Sequence, residues 1–199
     1  LLLEFSKSGA IVDLVVVTML RINATDTKEV LGKVFFNLLN RPEIREILVV
    51  KLDLLSSILE LTKVEHIGLL EICIHAIYNV TCELIPTSGV EDQFAEKLKA
   101  LKMPRFMINK LNYNPDADGS VGNRFTRNLI GKALCNMSFN KSLAIEITNE
   151  AGAKIADAMY RIYVLGSEEN IFCACSILFN ISTIAVSYTH LRAHETLMN

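Results

Sequence analysis

Apolar residues recur at i, i+3, i+4 and i+7 in four separate stretches of this chain. They are Leu31, Val34, Phe35 and Leu38; Leu70, Cys73, Ile74 and Ile77; Ile130, Ala133, Leu134 and Met137; and Ala174, Ile177, Leu178 and Ile181. That spacing lays a single apolar stripe along an α-helix, so each stretch predicts a helix with one buried face. All four stripes close on an asparagine set among apolar neighbours, as in Ala76-Ile77-Tyr78-Asn79-Val80-Thr81 and Ala133-Leu134-Cys135-Asn136-Met137-Ser138. The asparagines, Asn37, Asn79, Asn136 and Asn180, stand 42, 57 and 44 residues apart. Two of those intervals match the roughly 40–47 residues of a helical repeat unit, and the longest carries an insertion.

Shorter amphipathic stretches fill the intervals and predict two further helices per unit. In the first unit the helices fall near 10–22 and 27–39, after a partial one near 1–7. In the second they fall near 42–50, 52–62 and 66–83, and in the fourth near 141–149, 152–164 and 169–183. Gly9 and Gly152 each precede the second helix of their unit, where a tight corner needs backbone conformations that other residues resist. The third unit is irregular. Helices near 91–102 and 104–111 are followed by a loop at 112–120 containing Asn114, Pro115, Asp116, Asp118 and Gly119, then a helix near 121–140. This loop and the connector at 85–90 supply the extra length.

Three helices per unit, the Gly-Ala corner and the Ala-Leu-x-Asn-Leu-Ser-like ending together resemble the armadillo repeat family. The resemblance covers residues 1–185, as units of about 1–40, 41–84, 85–140 and 141–185, cut at both ends. It implies an all-α fold: a right-handed α-solenoid, or superhelix, of about four armadillo-like repeats of three helices each. It further implies that the third helices line a concave groove in which asparagine side chains bond the backbone of an extended peptide. An amide suits that task because it offers both a donor and an acceptor. By this analogy Asn37, Asn79, Asn136 and Asn180 form a peptide-binding ladder. The alternative for the same residues is a bond to neighbouring backbone or a cap between units.

Residues four positions earlier share nearly the same helix face: Lys33, His75, Lys132 and Ser176. Importin-like armadillo proteins carry tryptophans there to hold basic side chains. This chain has no tryptophan, which argues against a nuclear-localisation-signal receptor. Two lysines and a histidine point to an acidic or phosphorylated ligand. Glu29 with Lys33, and Glu71 with His75, are also spaced as simple i,i+4 pairs on a solvated face.

Composition narrows the function further. Hydrophobic residues make up 51% of the 199, and four prolines and nine glycines leave long uninterrupted helical stretches. A net charge of -2 argues against a nucleic-acid binder that works through bulk positive charge. The greasiest stretch, residues 10–20, contains Asp13 and falls short of the roughly 18 apolar residues of a membrane span. No charged leader precedes a hydrophobic core, so no signal peptide is visible. Five cysteines, an odd number set in apolar helical patterns, read as reduced thiols of a cytoplasmic protein, with nuclear or ciliary placement as variants.

The last stretch, 186–199, resembles the translation of sequencing-adaptor read-through. It is set aside, together with the i,i+4 pair His190 and His194 that would otherwise suggest half a metal site. Asp116 and Asp118 start like a calcium loop, but Val121 and Arg127 stand where glycine and glutamate are needed. Cys173 and Cys175 point about 200° apart on a helix and cannot share an ion. The run around Gly119-Ser120-Val121-Gly122 lacks the lysine and the preceding strand of a phosphate loop. No catalytic constellation, cofactor motif or metal motif survives. The sequence therefore predicts a non-enzymatic scaffold that binds a protein or peptide. The alternative is a structural component of a cytoskeletal or ciliary assembly that uses its lateral surfaces.

Overall fold

The structure, a computed structural model, describes residues 21, 24–51, 54–63, 66–84, 91–112, 121–151, 154–164 and 167–197. Among these residues there are ten α-helices and no strand, so the chain is all-α. The helices are α1 (Thr25–Leu39), α2 (Pro42–Glu46), α3 (Leu54–Leu61), α4 (Ile67–Thr81), α5 (Glu91–Ala100), α6 (Met103–Asn112), α7 (Val121–Phe139), α8 (Lys141–Ala151), α9 (Lys154–Tyr163) and α10 (Glu168–Leu197). A π-helical turn, Ile47–Lys51, continues α2, and a 3-10 turn, Cys82–Leu84, ends α4. Each described helix lies within a few residues of a predicted one. The predicted helix at 10–22, the connector at 85–90, the glycines at 9 and 152, and residues 113–120 of the loop lie outside the described residues.

Local chemistry sets the helix starts. Pro42 occupies the first turn of α2, where its missing N–H would have had no partner. The His66 Nδ1 accepts from the Leu69 N–H at 3.2 Å and caps α4. The Asn140 Oδ1 accepts from the N–H groups of Ser142 (3.0 Å) and Leu143 (3.3 Å), so it starts α8 directly after α7. The Ser167 Oγ accepts from the Asn170 N–H at 3.2 Å and starts α10.

Two elements depart from expectation. The helix predicted at 42–50 loosens after Glu46 into the π-helical turn, where Ile47, Val49 and Val50 lower helix propensity and both Leu48 and Val49 are fully buried. The helix predicted at 169–183 runs on as backbone to Leu197, because no glycine or proline interrupts 168–197.

The four asparagine-marked helices pack in chain order, α1 on α4, α4 on α7 and α7 on α10. Outside them, α6 lies against α9, while α5 touches both the π-helical turn and α8. One continuous core runs between these layers, from Phe35 and Leu39 through Leu69, Ile77 and Leu134 to Ile177. Gly32 marks the close approach of α1 to α4: a Cβ there would stand 3.2 Å from the Ile72 Cγ2. Across the same junction the buried Arg45 donates from Nε to the Leu39 carbonyl at 2.7 Å and pairs through Nη1 with the Glu83 carboxylate. A buried guanidinium with both neighbours satisfied ties α1, α2 and the end of α4 together.

The apolar sequence of α4 has a counterpart in this packing. Residues Ile67–Leu84 form an 18-residue stretch of mean hydropathy 1.4, long and apolar enough to cross a membrane. The stretch is half buried, with α1 on one side and α7 on the other. By length and hydropathy it meets the membrane-span criterion that residues 10–20 fall short of.

Between α5 and α6 the chain turns on Lys102, whose φ of 51° puts a side-chain-bearing residue in the left-handed region. A β-carbon there costs roughly 1 kcal/mol relative to glycine. Lys102→Gly is therefore expected to raise unfolding stability by up to about 1 kcal/mol in denaturant melts. Unchanged or lowered stability would contradict the strained turn.

Candidate functional site

The marked helices pack in series, and three of the four predicted asparagines, Asn79, Asn136 and Asn180, make a recurring bond between them. The Asn79 Nδ2 donates to the Asn40 Oδ1 at 2.7 Å, reaching from α4 to the end of α1. The Asn136 Nδ2 donates to the Thr81 Oγ1 at 3.2 Å and approaches the Cys82 Sγ at 3.8 Å. The Asn180 Nδ2 donates to the Ser138 Oγ at 2.9 Å. Each amide thus reaches back to the end of the preceding marked helix.

The orientation of two of these amides follows from their acceptors. Thr81 and Ser138 each spend their hydroxyl proton on the carbonyl three residues back, that of Tyr78 and of Cys135, both at 2.7 Å. Their oxygens are left as acceptors only, so the amide nitrogen must face them. This assigns a role to the hydroxyl two residues after Asn79 and after Asn136. The Asn-x-Ser/Thr strings that look like glycosylation sites are donor and receiver of successive inter-helix bonds. Sequence reasoning singled out the asparagines but missed Asn40, Thr81 and Ser138 as their partners. The signal for Thr81 and Ser138 is the regular Thr or Ser at the end of the motif; Asn40 carries none.

Burial differs along the series. Asn79 is 8% exposed, Asn136 and Asn180 are half-buried, and Asn37 is exposed with no hydrogen-bond partner among the described residues. Each bond consumes one amide proton. The second N–H of Asn79 and of Asn180 receives no partner from the described residues, whereas Asn136 turns its Nδ2 to both Thr81 and Cys82.

The residues four positions earlier line the same face but do not form a basic strip. Lys33 is exposed and pairs with Glu29 on its own helix at 2.7 Å. Lys132 reaches across to Glu169 of α10 at 2.8 Å. Lys33 holds the Glu29 carboxyl below the usual carboxylate range through its hydrogen bond and its charge. His75 is half-buried in an aromatic setting: its ring lies 4.5 Å from Phe36 of α1, 6.0 Å from Phe125 of α7 and 6.2 Å from Tyr78. Desolvation, then the charge of Lys132, lowers its pKa. Phe125 is half exposed, so the ledge of Phe36, His75 and Phe125 spans three helices and opens to solvent. The sequence marked His75 for its charge, whereas the structure makes it an aromatic contact.

Behind this face lie buried thiols. Burial alone pushes the Cys73 thiol up to about 12, and Cys173 is raised by its hydrogen bond to Cys135 and by burial. Cys173 is buried and Cys175 exposed, as their angular separation on the helix requires. No family model matches the chain, and neither does any curated protein or solved structure.

Two measurements check the geometry. A double-mutant cycle with Asn136→Ala and Thr81→Ala is expected to give a coupling energy of about 1 kcal/mol in unfolding stability. Additive losses would mean the two groups do not bond. For His75, a lowered pKa means that the unfolded chain takes up a proton before the folded one does as pH falls below about 6.5. Its contribution is therefore nil above that value and destabilising below it, down through the lowered pKa. NMR of the imidazole Cε1 proton is expected to place its midpoint below about 6.5, with Phe125→Ala shifting it upward by hydration. A midpoint at or above the ordinary histidine value would remove the aromatic enclosure from the account.

Proposed function

We propose that this chain is a non-enzymatic scaffold of the armadillo type, a right-handed α-solenoid of about four three-helix units. In this reading it binds an extended segment of a protein partner along the face of α1, α4, α7 and α10. The observation that carries it is the recurring amide bond between consecutive marked helices, which stacks the asparagines in one series. Helices held in register this way offer repeated amide groups at regular intervals, and a peptide backbone repeats its own donors and acceptors regularly too. The structural bond and a ligand bond do not compete at Asn79 and Asn180, whose amides keep a second N–H and an oxygen, while Asn136 keeps its oxygen.

The aromatic ledge supplies the second element of recognition. Peptide affinity concentrates on aromatic anchors in partly desolvated settings, and Phe36, His75 and Phe125 meet that description. Lys33 and Lys132 are already neutralised by Glu29 and Glu169, which favours an apolar ligand side chain on the ledge over an acidic one. The five cysteines are free thiols, in keeping with a cytoplasmic location.

Selection of a randomised displayed-peptide library on the folded chain tests this reading. Enriched peptides are expected to share an apolar or aromatic position and to lose about tenfold in affinity on Phe125→Ala, with helicity unchanged. No enrichment, or equal binding to Phe125→Ala and His75→Ala, would move the interaction to the lateral surfaces of a structural assembly.

A further inference from the structure

We propose that Cys135 of α7 and Cys173 of α10 form a redox site, a dithiol that a hydroperoxide converts into a disulfide joining the two helices. Both thiols lie behind the peptide face, and the site holds whether or not a peptide binds there.

The packing of the marked helices sets the two sulfurs against each other. Phe36, the residue before Asn37, meets His75, four positions before Asn79. The equivalent pair at the α7–α10 junction is Cys135 and Ser176, and the Ser176 hydroxyl donates to the Cys135 sulfur. Cys173 lies three residues before Ser176 on the same face of α10, and its thiol donates to that sulfur too. Cross-helix bonds on either side fix the register. Lys132 pairs with Glu169 at 2.8 Å about one turn before Cys135, and Ser138 accepts from Asn180 at 2.9 Å about one turn after it.

The two sulfurs have different roles. With two donors on it, the Cys135 thiol is held below the ordinary thiol range, whereas Cys173, which keeps its proton on the shared bond, is raised. Cys135 is thus the nucleophile and Cys173 the resolving thiol. Ser176 is half-buried and holds the place of His75 and Lys132 on the open face, so a small oxidant reaches the pair past it. The other thiols are placed differently: Cys73 is buried with its thiol pushed up to about 12, Cys82 donates to the Tyr78 carbonyl at 3.5 Å, and Cys175 is exposed.

With hydrogen peroxide, the Cys135 thiolate attacks one oxygen and the O–O bond breaks. A sulfenic acid forms, and the hydroxide released takes up the proton that Cys135 gave up, leaving as water. The Cys173 sulfur then attacks the sulfenic sulfur; an S–S bond forms, the S–O bond breaks, and the oxygen leaves as a second water with the Cys173 proton. The thiols lose two electrons and the peroxide gains them. Bringing the sulfurs from hydrogen-bond contact to about 2 Å takes side-chain rotation with the helices kept in register.

The bridge spans 38 positions of the chain, so it removes freedom from the unfolded state and is expected to raise the thermal midpoint by about 10 °C. The test uses the folded, reduced Cys175→Ser chain, treated with hydrogen peroxide, alkylated, cut with trypsin and read by mass spectrometry. The peptide Ala133–Lys141 is expected to be linked to the peptide carrying Cys173, with the midpoint raised, and dithiothreitol is expected to reverse both. Cys135→Ser or Cys173→Ser, added to that chain, should abolish link and shift together. The link itself is read with both thiols in place, so it does not depend on either of these variants folding. In guanidinium the same treatment should scatter the pairing among the four remaining thiols. Two free thiols after treatment of the folded chain would overturn the proposal, as would links only between copies or oxidation of Cys135 to the sulfinic acid without a bridge. A bridge that forms as readily in guanidinium would overturn it too.

Discussion

The structure depends on one bond repeated three times, from an asparagine amide on one marked helix to a side-chain oxygen at the end of the helix before it. Apolar stripes alone can slide past one another, since a leucine makes a similar contact one turn up or down. A hydrogen bond to a buried group cannot, because losing it leaves that group (Asn79, Thr81 or Ser138) unsatisfied at a cost of roughly 1–3 kcal/mol. At the α4–α7 and α7–α10 junctions the acceptor hydroxyl already donates its own proton to the carbonyl beneath it, which makes the bond directional. Register between α1, α4, α7 and α10 follows from this, and the apolar core between them packs around a fixed alignment.

That alignment also decides the character of the exposed face. With the helices in register, Phe36, His75 and Phe125 come from three different helices to one place, and Lys132 falls within reach of Glu169. Charge is compensated inside the face and aromatic surface is left open. A buried arginine at the first junction plays a complementary part, holding the end of α1 to the end of α4 through Leu39 and Glu83.

Much of the helical content is legible in the chain itself. The i, i+3, i+4, i+7 stripes place α1, α4, α7 and the first half of α10, and Pro42, Asn140 and Ser167 mark helix starts by chemistry that acts within a few residues. The π-helical turn at Ile47–Lys51 is not legible there. It arises because Leu48 and Val49 are both drawn into a core made by distant helices, a demand no local pattern contains. The site is legible in part. Asn79 and Asn136 stand out by repetition, but the receivers Thr81 and Ser138 look like ordinary turn-ending hydroxyls until the neighbouring helix is in place.

The sequence by itself thus determined the all-α character, most of the helix spans and the spacing of the four marked asparagines, all properties of periodicity and local propensity. Only the tertiary structure decided what those asparagines bond to, that Lys33 and Lys132 are paired, and that His75 is an aromatic contact instead of a free cation. The reason is distance along the chain. Asn79 and Asn40 are 39 residues apart, and Asn136 and Thr81 are 55 apart. Partnerships at such separations exist only once helices have packed, because side-chain chemistry names what a group can bond and packing chooses which group is there.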